Sequence, residues 1–159
     1  MKPEWIIEAE QHIGLTETAG QAHNATIQSW LRRLRAWWDD DETPWCGAFV
    51  AHCLEVTGQF IPKHWYRAKA YLEYGEKIDS PCYGCIVVFG RSGGGHVGFV
   101  VGKDHKGRLL VLGGNQGNKV SVAPFEMNRV LGYRIPFGYQ PTVPLLTMQS
   151  YEPSSINEA

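Results

Sequence analysis

Apolar positions recur at helical spacing through the first half of the chain and at strand spacing through the second. Over residues 4–13, Trp5, Ile6, Ala9 and Ile13 share one helical face, and Gly14 stands where a C-cap would end it. Asn24 is a good N-cap for a second helix, in which Ile27, Leu31, Leu34 and Trp38 repeat until the acidic run Asp39-Asp40-Asp41-Glu42. Thr43 as cap and Pro44 at the first helical position predict a third helix. There Cys46, Phe49, Val50, Cys53 and Leu54 face inward, and Gly58 closes it. A short helix is predicted over residues 66–74. Beyond it the period drops to two, or to short β-rich runs, over residues 85–89, 97–101, 108–112, 119–122 and 130–135. Residues 103–107 read as a hairpin turn between two of these runs. Helices followed by an antiparallel meander make an α+β order rather than an alternating one. The pattern stops after Gly138, which predicts one domain over residues 1–140 and a poorly ordered Pro- and Ser-containing tail over residues 141–159.

The chain has 159 residues, enough for one domain with a substantial core, and 43% of them are hydrophobic. A formal net charge of -1 gives no global field for nucleic acid or an anionic membrane. Arg32, Arg33 and Arg35 lie between apolar positions and read as the solvated side of an amphipathic helix. No stretch approaches the ~18 apolar residues that span a bilayer, and residues 1–5 have no apolar core of a signal peptide. The expectation is therefore synthesis in a cytoplasm, with any export left to a separate machine. Four cysteines are too few for a disulfide scaffold.

Chemistry gathers at three places. Cys46 falls in the first turn of the third helix, where unpaired N–H groups and the helix dipole favour a thiolate. Its own N–H is free to donate to an oxyanion. His96 follows Gly93-Gly94-Gly95 and opens an alternating strand, so it is the candidate base. Gly98 shares its face and leaves room beside the ring. A third group should hold the imidazole tautomer, and Asn115 in Gly113-Gly114-Asn115-Gln116-Gly117 is the candidate, one hairpin away. Gln116 is the weaker rival, because in an extended chain it points to the opposite face. Trp45, Asp41 and Gln116 are the candidate substrate contacts, with Trp45 also placed to exclude water from the thiol.

Taken together, Trp45-Cys46-Gly47-Ala48-Phe49-Val50, Gly95-His96-Val97-Gly98-Phe99, Leu112-Gly113-Gly114-Asn115-Gln116-Gly117-Asn118 and Arg129-Val130-Leu131-Gly132-Tyr133-Arg134 resemble one group of enzymes. These are the papain-like peptidoglycan hydrolases of the CHAP and NlpC-type superfamily, and the resemblance runs from about Trp5 to Pro136. It implies an antiparallel sheet of about six strands packed on helices. It also implies hydrolysis of an amide in bacterial cell-wall peptide, with Cys46 as nucleophile, His96 as base and Asn115 as orienting residue. No cofactor and no metal are expected. The partner implied is bacterial peptidoglycan, met by a monomer acting in the periplasm as a phage endolysin after holin-type release. An effector delivered by a secretion system, with an immunity protein as partner, is the alternative. A silent wall-binding module, or a thiol or zinc module, on the same fold is a further alternative. Two departures stand out. Gly113 occupies a position where relatives often carry glutamate, and Cys85 stands where they usually carry aspartate.

Two other signals carry less. Cys82-Tyr83-Gly84-Cys85 is a CxxC, but it precedes a β-rich run, and a zinc site would need two further ligands, for which Cys46 and His96 would be lost as nucleophile and base, so a local turn is expected. The acidic run before Cys46 lacks the alternating oxygen ligands and central glycine of a calcium loop.

Overall fold

A computed structural model describes residues 1–17, 24–38, 44–91 and 93–149. Three α-helices come first: α1 (Glu4–Glu10), α2 (Ala25–Arg33) and α3 (Cys46–Val56). A 3-10 segment, Ala68–Glu73, takes the place of the short helix predicted over residues 66–74. Six strands then form one antiparallel sheet: β1 (Glu76–Ile78), β2 (Ile86–Arg91), β3 (Gly94–Lys103), β4 (Leu109–Gly113), β5 (Ser121–Phe125) and β6 (Val130–Ile135). Their order across the sheet is β1-β6-β2-β3-β4-β5. The protein is α+β, with an arrangement compatible with a papain-like fold. Among the described residues no helix is long and apolar enough to cross a membrane.

The sheet buries both faces. Val88, Val97, Phe99 and Leu112 join the helices in one core, whose centre is Phe49, Val50, Leu31 and Trp30. Val87, Val100, Val111 and Phe125 form a second apolar cluster with Phe89 and Tyr133. Burial on two sides explains why β2 reads as the continuous run Ile86-Val87-Val88-Phe89 rather than a strict alternation. Register shifts between Val88 and Phe89 and between Val100 and Gly102 bend the central strands.

Several boundaries differ from the sequence pattern for local reasons. Asn24 does cap α2, accepting from the N–H groups of Thr26 and Ile27. The helix then ends at Arg33 instead of running to Trp38, because Arg35 adopts φ 60° and the Ala36 N–H returns to the Leu31 carbonyl. β1 was not legible: it has only three residues and pairs through its backbone with β6. β5 begins at Ser121, and Val120 instead donates to the Leu15 carbonyl. The turn at residues 103–107 is built by Asp104. Its carboxylate accepts from the N–H groups of Lys106 and Arg108 and from the Arg108 guanidinium at 2.7 Å.

The tail expectation needs correction over residues 141–149. Thr147 bridges Lys103 in a parallel pair, the Met148 N–H donates to Lys103, and Leu145 packs against both clusters. The segment is held to the end of β3 by backbone pairing, which residue spacing alone does not reveal. The rest of the tail, the loop containing Gly20, the acidic run with Asp41, and Thr43 lie outside the described residues.

Gly114, between β4 and β5, decides how closely the sheet approaches α3. A Cβ there would lie 2.7 Å from Phe49 Cβ and 2.8 Å from the Trp45 ring. Both neighbours are fully buried and have no space to retreat. We expect Gly114→Ala to lower the unfolding free energy by about 1–3 kcal/mol, read as a shifted urea midpoint at unchanged m-value.

Candidate active site

Cys46 is the first residue of α3. Trp45 occupies the N-cap position with φ -125° and ψ 17° and makes no capping bond through its side chain. Pro44 therefore lies before the cap, not at the first helical position as its spacing suggested. The cause is Trp45: its indole is turned to donate to Glu17 Oε1 at 3.1 Å, and its carbonyl opens the helix by accepting from Phe49. The consequence is that Cys46 stands at the end of the helix with its N–H among those the helix cannot satisfy.

The thiol meets the imidazole of His96. Burial pushes the Cys46 thiol up, but this is outweighed by its hydrogen bond to His96, the charge of that ring, and N–H groups of Val97 and Gly47 aimed at the sulfur; the thiol lies below its ordinary value. Cys53, two turns along the same helix, has burial without such partners and is held well above. Cys46 keeps 4% of its surface whereas Cys53 keeps none. Both thiols are buried, and only that of Cys46 retains any surface.

His96 is fully buried on β3. Its Nε2 faces Gln116 Oε1 at 2.9 Å. The amide of Gln116 cannot be turned round. Its Nε2 donates to the carbonyls of Val111 at 3.1 Å and Ser121 at 2.9 Å, and a flip would set its oxygen against both. Oε1 must accept, so His96 Nε2 carries the proton. Nδ1 is left as the lone-pair nitrogen for the thiol.

This corrects the assignment of Asn115 as the orienting residue. The argument against Gln116 assumed an extended chain, but Asn115 adopts φ 58°, in the left-handed region. One such residue breaks the alternation and brings the Gln116 side chain round to the imidazole. Asn115 itself is buried at 3% exposure and serves as the corner. Gly113 is then explained as well. A Cβ there would run into Gln116 Oε1 and stand 3.5 Å from His96 Nε2. The glycine at this position leaves space for the glutamine amide.

The expected substrate contacts fare differently. Trp45 is fully buried, so it shields the thiol's surroundings and offers no face to a substrate. Gln116, at 2% exposure, has both amide atoms engaged inside the protein and is not a substrate contact. Asp41 lies outside the described residues. Gly98 does not leave space for a thiol: a Cβ there would meet Val111 Cγ1 at 2.5 Å, so the gap belongs to β4.

Sequence spacing missed the floor of the site. The His96 ring stacks on Phe125 at 5.3 Å and 7°, and on Phe89 at 6.4 Å and 21°. The Arg129 guanidinium lies over both phenyl rings, at 5.6 and 5.9 Å. Phe89 and His96 are cross-strand partners, a pairing that only the register reveals. The CxxC forms a turn, as expected, with the Cys85 N–H donating to the Cys82 carbonyl at 3.2 Å. Among the described residues it gathers no further thiol, imidazole or carboxylate into a ligand set.

Residues 38–115 match the family model of the CHAP domain. Over that segment the chain is similar to a CHAP domain. The matched segment begins before α3 and ends at Asn115, so it holds Cys46 and His96 and stops one residue short of Gln116. CHAP domains are in general amidase- or peptidase-type hydrolases of the cell wall. A search of curated proteins returned no match.

Two variants separate the corner from the clamp. Gly113→Ala displaces the Gln116 oxygen from the imidazolium that accompanies the thiolate. A hydrogen bond to a charged group contributes about 1.5 kcal/mol, so the pH of half-maximal Cys46 alkylation by iodoacetamide should rise by about one unit. Asn115→Gly suits φ 58° and should leave that midpoint in place.

Proposed function

We propose that this protein is a CHAP-type, cysteine-dependent hydrolase of amide bonds in peptidoglycan, acting through Cys46, His96 and Gln116. The observation that carries the reading is the thiol of a helix-terminal cysteine bonded to an imidazole whose tautomer is set by a clamped amide. The family supplies the substrate class.

The chemistry follows from the proton positions. Nδ1 of His96 takes the proton of the Cys46 thiol, giving a thiolate beside an imidazolium, and the Gln116 oxygen accepts from the Nε2–H of that cation. The sulfur attacks the carbonyl carbon of the wall peptide, and the carbonyl oxygen takes up the electron pair. The N–H of Cys46, free at the start of α3, donates to that oxyanion. Collapse breaks the C–N bond as Nδ1–H protonates the departing amine, leaving a thioester on Cys46. Water then gives a proton to Nδ1 and attacks the thioester, and the acid product leaves with the thiol restored. The imidazole ends as it began.

Within this class we take the endolysin role, in which the protein meets the wall once the membrane has been breached. A delivered effector would use the same residues and would differ in having a cognate inhibitor.

Incubation with purified peptidoglycan, followed by mass spectrometry of the soluble fragments, should show new amine and carboxylate ends at one type of amide. Cys46→Ala should release none, while Cys82→Ala keeps most of the turnover. Gln116→Ala should lower kcat on the order of 100-fold, the share that a correctly held general base supplies. Unchanged lysis by folded Cys46→Ala protein would refute the assignment.

A further inference from the structure

Away from the thiol, α1 and α3 bring together Glu8, His12 and His52. Glu8 Oε2 lies 2.7 Å from His12 Nε2 and 3.0 Å from His52 Nε2, and the ligand atoms of all three fall within 4.8 Å of one another. We propose that these three side chains form a binding site for a divalent first-row metal ion such as zinc, fastening α1 to the helix that carries the nucleophile.

The donor set selects the ion. Two imidazoles and one carboxylate suit zinc and its neighbours, whereas calcium and magnesium require mostly oxygen. Two ligands at about 2.0–2.1 Å from a tetrahedral ion stand roughly 3.3 Å apart, so the side chains need open by only about 0.5 Å. The rings are already held in place. His52 stacks on Trp30 at 4.9 Å and 20°, and His12 meets the same indole edge-on at 5.0 Å. A water molecule can complete the shell, because the Glu8 and His12 side chains keep 21% and 19% of their surface and open the site to solvent.

The proton balance also fits. With both imidazoles neutral, each Nε2–H donates to one carboxylate oxygen. Nδ1 of His52 is buried without any hydrogen-bond partner, so nothing pins that ring to one tautomer. Moving the proton to Nδ1 in each ring frees both Nε2 lone pairs, and a cation between those lone pairs and the carboxylate relieves their repulsion. The site uses neither Cys46 nor His96, so it does not rest on the proposed hydrolysis.

The test uses full-length Cys46→Ala protein, which removes the catalytic thiol as a competing ligand, titrated with zinc chloride. We expect one zinc per chain after dialysis and a melting temperature raised by about 5–10 °C at roughly 100-fold excess over Kd. His12→Gln and Glu8→Gln should each weaken binding at least about tenfold, with metal-free melting temperatures confirming that they fold. Cobalt in place of zinc should give visible d–d bands without thiolate charge-transfer absorption. No retained metal, retention unchanged in both variants, or a thiolate band placing the ion on Cys82 and Cys85 would each overturn the proposal.

Discussion

One side-chain amide governs how the buried imidazole of this protein is held. Gln116 has its nitrogen clamped by the carbonyls of Val111 and Ser121, so its oxygen has a single orientation, against His96 Nε2. That orientation decides which ring nitrogen carries the proton and which meets the sulfur. A carboxylate in the same place would face two carbonyl oxygens with no proton to offer them. Glutamine, which both donates and accepts, satisfies the strand ends and the imidazole together.

The clamp works only because backbone segments come unusually close. Gly113 leaves room for the amide oxygen, and Gly114 lets the turn between β4 and β5 rest against Phe49 and Trp45 at the start of α3. Trp45 in turn is tied to Glu17, and the α3 backbone is held at Gly47 by the Tyr71 hydroxyl at 2.8 Å. Helix and sheet are thus fixed to each other around the thiol rather than at a distance from it. The Phe89, Phe125 and Arg129 column supports the imidazole from its other side, so the ring is held by packing as well as by hydrogen bonding.

The apolar period made α1, α2, α3 and five strands legible, because each buries one face or both against a core and burial leaves a period in the residues. It failed where backbone pairing or end geometry rules: β1, which has three residues and little core to bury, and the ends of α2 and β5. Cys46 and His96 were legible because a cysteine opening a helix and a histidine opening a glycine-led strand are unusual in combination. Trp45 was misjudged, since a tryptophan beside a nucleophile has the same letter whether it faces substrate or core.

The sequence by itself determined an α+β protein with a thiol at a helix start and an imidazole at a strand start, since those follow from local spacing and end signals. Only the tertiary structure decided that Gln116, not Asn115, holds the imidazole, and that Glu8, His12 and His52 converge. The reason is physical. A single residue at φ 58° reverses the side-chain alternation after it, and contacts between separate helices depend on how they pack; neither is written in the order of apolar and polar positions.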